Sequence, residues 1–199
     1  MDETMFLEEI RQGKIKDLVG VNLAGADLSG INLAEVNFSQ ANLMGANLSG
    51  TNLRGAILRA NLKGADLTGA DLTNADCRNA DLRGAILLDI QADNMSLAGA
   101  FLAGTVLTHL DLTGVDLRGC DLRGATLVGT CLQQADLSNC NLSGADLSQA
   151  DLEEAILQGT ILRGANLNGA NLFCAQVENA DLEGILCDKT CFEGTPISV

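Results

Sequence analysis

The chain has 199 residues, a formal net charge of −14, one histidine, one proline and neither tryptophan nor tyrosine. No apolar run approaches the roughly 18 residues needed to cross a membrane, and an acidic chain without stacking aromatics excludes a nucleic-acid-binding surface of the usual basic kind. Seven cysteines are an odd number, and they show no metal-site spacing.

Residues 3–12 place Phe6, Leu7 and Ile10 at helical spacing, and Gly13 comes next as a stop signal. A helix this short is marginal alone, so it is predicted to cover the apolar end of the domain beyond it. The start Met1-Asp2-Glu3-Thr4 is acidic, unlike a secretory signal, and the protein is expected to be cytoplasmic. Residues 1–15 are read as this helix and its lead-in. Residues 16–199 are read as one repeat domain.

From Leu18 to Ile197 a large apolar residue recurs every fifth position, as in Ala26-Asp27-Leu28-Ser29-Gly30. Thirty-seven such centres occur, with one four-residue step from Leu58 to Leu62. A period of five fits no helix, because residues five apart lie about 140° from each other. It fits no straight strand either, because successive centres would change faces. The chain must bend once per repeat, as in a solenoid.

The residue two before the centre is Ala in 20 of the 37 repeats and shares the inward face with the centre. The residue between them points outward and is Asp or Asn in 23. The next two residues form the bend, and 21 of the 22 glycines occupy the second of these positions, where a type II turn needs positive φ. Small inward residues bring the walls together and leave no ligand channel. Ala92 replaces a centre, while the inward Ile90 and Met95 are larger than Ala, so local volume is expected to be roughly kept. Cys77 and Cys187 sit at centres, and Cys120 and Cys140 replace inward Ala, which makes all four core positions. Cys131 and Cys191 are expected on the surface. Parallel stacking disfavours a disulfide between Cys120 and Cys140.

These A-(D/N)-L-x-G repeats resemble the pentapeptide-repeat family over residues 16–199. The resemblance implies an all-β solenoid: a right-handed quadrilateral parallel β-helix with four repeats per coil, here about nine coils, and a short N-terminal capping α-helix. At the usual strand spacing the rod would be about 40–45 Å long. Some members of the family, the quinolone-resistance proteins, resemble DNA in shape and charge and bind DNA gyrase. Over this length B-DNA would carry about 25 charges, well above the net charge here. The chain also lacks the loop insertions and C-terminal helix of gyrase-directed relatives.

With four faces, charge sorts unevenly. The face of Leu72 carries a net −7, from Asp71, Asp93, Asp111, Asp151, Glu153 and Glu154 among others, and the face of Leu67 carries −4. The faces of Cys77 and Leu62 are close to neutral. Ile86, Leu88, Val106 and Val128 break the polar rule on the Leu67 face, and Phe101 lies round the corner. Clustered exposed apolar residues mark an interface, so this panel is the candidate partner surface. Ile156 and Ile161 form a smaller pair. Pro196 removes a donor from the last strand edge, and the apolar C-terminal end fits a tail-to-tail homodimer. His109 falls in a turn with no nucleophile motif, and the glycines are turn residues rather than a phosphate loop. The expectation is therefore a non-catalytic rod that uses no cofactor or metal and binds an unidentified protein partner. The alternative is a DNA mimic acting on gyrase or another topoisomerase.

Overall fold

The computed structural model describes residues 3–197. Helix α1 spans Glu3–Arg11. It ends where the sequence predicts: the Lys14 amide donates to the Glu9 carbonyl at 3.0 Å and the Gly13 amide to the Ile10 carbonyl at 2.9 Å. Gly13 has φ +68°. This pair of bonds, closed by a left-handed glycine, satisfies the last carbonyls of the helix. Ile10 is completely buried, Phe6 and Leu7 pack half-buried against the same core, and Arg11 Nη2 donates to the Asp27 carbonyl at 3.0 Å.

Beyond α1 every repeat contributes one outward residue to a parallel bridge. Asp17 pairs with Asn37, Asn22 with Asn42 and Asp27 with Asn47, a register of twenty. Across the four-residue step the register falls to nineteen, as in Asn42 with Asn61, and then returns to twenty. The missing residue is absorbed in a tighter bend, where the Ala60 amide donates to the Leu58 carbonyl at 2.7 Å. Nearly all the other corners close with a bond from the third residue after the centre, such as Ala65 N to Leu62 O at 3.0 Å. The second residue of each bend is left-handed whether or not it is glycine: Glu35, Asn74, His109 and Lys189 all have φ near +60°.

The outward Asp or Asn has a local purpose. Its side-chain oxygen accepts the amide of the first bend residue, as in Ser29 N to Asp27 Oδ1 at 3.1 Å and Thr113 N to Asp111 Oδ1 at 3.0 Å. The side chain thus fixes the turn next to it. Inside, leucines stack on leucines and alanines on alanines. Leu117, Leu137 and Leu157, twenty apart, are all buried. A small void of about 10 Å³ lies among Leu58, Leu87, Ile90 and Leu107; its lining is entirely apolar and offers an ordered water no partners.

All seven cysteines are free. Cys120 and Cys140 donate their thiols to the Leu97 and Leu117 carbonyls at 2.9 and 2.8 Å. Thr130 and Thr160 make the equivalent bond to Leu107 and Leu137, so at the inward position a thiol does what a threonine hydroxyl does. The adjoining Cys140 thiol and burial push the Cys120 thiol well up, and burial pushes Cys77 up to about 12. Both are inert as nucleophiles. Cys131 is half-buried, its sulfur 3.1 Å from Thr113 Oγ1. Cys191 is half-buried too, and the exposed thiol is Cys174, at a bend.

The expected volume compensation around Ala92 does not hold across coils. Elsewhere between Leu18 and Leu172 the inter-coil amides donate as regularly as Leu67 N to Ile86 O and Leu127 N to Asp146 O, at 2.8 and 2.7 Å. Among the described residues the ladder parts in one place. None of the rungs between Gly84–Asn94 above and Ala103–Thr113 below reaches hydrogen-bond geometry, and neither do those that Val106, Asp111 and Asp116 would return to the coil above. Ile86 still faces Val106 as a bridge partner, but Gln91 and Asp111 do not pair. Volume is kept within one coil, yet large residues are stacked on large residues between coils.

Candidate interaction surface

Each face of the solenoid shows one outward residue per coil, framed by its bend. On the Leu62 and Cys77 faces the D-L-R spelling folds arginine back onto the preceding aspartate. Arg83 donates to Asp81 through Nε and Nη2 at 2.8 and 2.6 Å, and Arg118 and Arg123 do the same to Asp116 and Asp121. Asp76 is gripped by both Arg59 and Arg78. The arginine hydrogen bonds hold Asp81 and Asp121 below the usual carboxylate range. These pairs are exposed and contribute little stability each; their effect is to neutralise two faces.

The Leu72 face lacks such clamps apart from Arg54, 3.1 Å from Asp71. Its aspartates do not form an unbroken row. Gln91 and Cys131 occupy the positions between Asp71, Asp111 and Asp151. Amides tie down the rest: Gln133 and Asn171 donate to Asp151 at 2.7 and 3.0 Å, and Gln134 to Glu154 at 2.8 Å. Thr113 donates to Asp111 through both hydroxyl and amide and holds its carboxyl low. For Asp71, burial works against ionisation, and the bonds from Thr73 and Arg54 outweigh it. Asp93 and Asp111 are exposed, while Glu153 is half-buried. Hydrogen bonds thus order Asp71, Asp111, Asp151 and Glu154 on the acidic face.

The apolar panel is the other departure from the rule. Ile86, Leu88, Phe101 and Val106 are 44, 45, 47 and 49 % exposed; Val128, in a bend, is half-buried. Ile86, Leu88 and Val106 line a groove of about 350 Å³ whose floor is Gly84, Ala85, Leu87, Gly104 and Thr105. Leu186, on the same face near the C-terminal end, is 56 % exposed. It stands one before the centre Cys187, so the outward-position rule that picks out Ile86 and Val106 could have found it. Of the second pair, Ile161 is exposed and Ile156 half-buried. His109 is exposed and lies over Gly129, where an added Cβ would come within 2.5 Å of its ring. No cluster of His, Cys, Asp or Glu among the described residues has metal-binding geometry. No helix of the described residues is long and apolar enough to cross a membrane.

The profile of the family described as Pentapeptide repeats matches in eight copies, over residues 22–59, 59–89, 89–124, 120–159 and 157–185. Among solved structures the chain is similar to HetL, a pentapeptide-repeat protein involved in heterocyst differentiation regulation in the cyanobacterium Nostoc sp. strain PCC 7120. Identity is 31 %, covering 93 % of this chain and 96 % of that one, with a TM-score of 0.35. It is also similar to alr5209, another pentapeptide-repeat protein of Nostoc PCC 7120, at 33 % identity over 49 % of this chain and 78 % of that one, TM-score 0.44. QnrB1, a plasmid-mediated fluoroquinolone resistance protein, is 23 % identical over 87 % of this chain and 92 % of that one, TM-score 0.32. Comparison with curated proteins gives no match. The repeat profile over residues 22–185, the full-length identity to HetL and the register of twenty agree: the chain belongs to the pentapeptide-repeat family, and its fold is a right-handed β-helix solenoid.

Proposed function

We propose that the protein is a single-domain, non-catalytic, quadrilateral rod of about nine coils, capped at one end by α1, that binds a partner protein. The observation that carries this reading is the panel of Ile86, Phe101 and Val106, exposed where the repeat otherwise places Asp or Asn, with Leu88 exposed in the adjoining bend. A rod with a packed interior has no channel through it, the groove between Ile86, Leu88 and Val106 carries no titratable side chain, and the long faces suit a partner. The free cysteines fit a reducing compartment such as the cytoplasm. Affinity capture with the wild type, compared with Phe101→Asp and Val106→Asp, tests the panel. At least one captured protein should be lost from both variants; an unchanged set discards the panel.

The second reading is a DNA mimic acting on gyrase or another topoisomerase. The ordered carboxylates of the Leu72 face favour it, and QnrB1 is related to fluoroquinolone resistance. A net charge of −14 remains short of a duplex of the same length. A gyrase supercoiling assay showing neither inhibition nor protection from a quinolone removes this reading.

The C-terminal coil keeps Leu182, Ile185, Phe192 and Ile197 only partly buried, which supports a tail-to-tail homodimer. Light scattering that gives about 20.7 kDa at every concentration rejects it.

A further inference from the structure

The parted ladder has a stereochemical cause that can be read residue by residue. Ile90 sits above Leu110, and Met95 above Val115, all four at the inward position where the repeat prefers Ala. Elsewhere a large residue at this position meets a small one in the next coil: Ile31 meets Thr51, Val36 meets Ala56, and Ile185 meets Ala165. Beside the leucine stacks there is room at this position for alanine, whereas two large side chains stacked there overfill the interior and hold the coils apart, as overpacked cores do. Ala92, by shortening the centre between the two stacks, removes the side chain that would otherwise bridge the coils. The turn beside it lacks the closing bond from the Ile90 amide to the Leu87 carbonyl, as the Leu28–Ile31 turn also does.

The opening is one-sided. At its two margins the ladder is whole: Leu82 N to Phe101 O at 2.9 Å and Leu97 N to Asp116 O at 2.8 Å. Between these margins no inter-coil amide reaches hydrogen-bond geometry; the Leu67 face keeps only the loose Ile86–Val106 bridge and the Leu72 face loses its Gln91–Asp111 bridge, while the chain continues covalently through residues 96–102 on the opposite side. Two fully laddered stacks are therefore joined by an intact edge and separated by an open one.

We infer that the rod is articulated at this seam: the N-terminal and C-terminal stacks are two rigid bodies that hinge about the Leu82–Phe101 and Leu97–Asp116 margins, opening and closing on the Leu67 and Leu72 side. This goes beyond the partner-binding reading and stands without it. The two are nonetheless adjacent. Ile86 and Leu88 belong to one body and Val106 to the other, so the groove between them changes shape as the hinge moves. Anything seated across those lips selects one hinge angle.

The test uses the full chain and two measurements. Amide hydrogen exchange by NMR should show Leu87, Asp89, Ala92 and Asn94 exchanging at least tenfold faster than their counterparts one coil above, Leu67, Gly69, Leu72 and Asn74, which all donate between coils. Residual dipolar couplings should require separate alignment tensors for residues 18–80 and 120–172. A variant restoring the repeat, with Ile90→Ala, Ala92→Leu, Met95→Ala, Leu110→Ala and Val115→Ala, should regain that protection and fit one tensor. Equal protection of seam and flanks in the wild type overturns the inference, and so does a single tensor for the whole wild-type rod. Both measurements stand on the wild type if the variant fails to fold. Capture of a partner has no bearing on either, so this proposal and the binding reading can fail separately.

Discussion

Leu137→Ala is expected to lower the unfolding free energy by about 2–5 kcal/mol. Leu137 is fully buried, and Leu117 and Leu157 lie directly above and below it in the same stack. Removing its side chain leaves a cavity that the walls cannot collapse to fill. The backbone on that face is pinned by rungs on both sides, with Leu117 N donating to Asp136 O and Leu137 N to Ile156 O at 2.8 Å. The cost therefore falls at the rigid end of the range, where lost transfer energy and residual cavity add. Leu87→Ala is the control. Leu87 is buried against the seam and lines the small internal void, and its own rung is not formed. Its neighbours have room to relax, so it should cost less than Leu137→Ala. Urea unfolding monitored by circular dichroism measures both. Equal losses, or a loss at Leu137 below about 1 kcal/mol, would show that the rungs do not stiffen the core.

Ile10→Asp is expected to act at one end only. Ile10 is completely buried where α1 meets the first coil, and an aspartate there buries a carboxylate that must be paired or neutralised. Arg11 is the adjacent cation, but its guanidinium already donates to the Asp27 carbonyl. The helix should detach and leave the Leu18 and Leu23 coil uncovered. Because each coil touches only its neighbours, the damage should fade along the rod. Amides from Leu18 to Gly30 should lose at least 100-fold in exchange protection, while those around Leu137 keep theirs. Uniform loss would mean that the rod unfolds as one cooperative unit. No loss at all would mean that α1 does not cap it.

The repeat is legible because one spacing governs four kinds of residue at once. Leucine, alanine, the outward amide or carboxylate and the turn glycine each keep their phase, so the architecture and the Gly13 helix stop can be read from position alone. What a period of five conceals is the period of twenty. Whether Ile90 is tolerated depends on Leu110, a residue four repeats away. Volume reasoning inside one coil therefore misjudges the seam. The surface divides in the same way. Ile86, Leu88, Phe101 and Val106 are recognisable as breaches of a local rule. The ordering of the Leu72 carboxylates comes from Gln133, Gln134 and Asn171, whose partners depend on inter-coil register. Cys174 follows from the phase of the repeat, since it stands two after the centre Leu172 at the second bend position.

The four-residue step at Leu58–Leu62 shows how such a chain can vary. One residue is missing there, yet rungs on both sides keep their partners, from Asn42 with Asn61 to Ile57 with Asp76. The shortening stays at a corner, because a corner bears no inward side chain and can trade a wide bend for the tight Leu58–Ala60 bend. In most folds a deleted residue would rotate everything after it out of phase. In this one, length can be lost at any corner while the faces beyond it stay in line, so surface patches assembled over many coils survive changes in chain length between them.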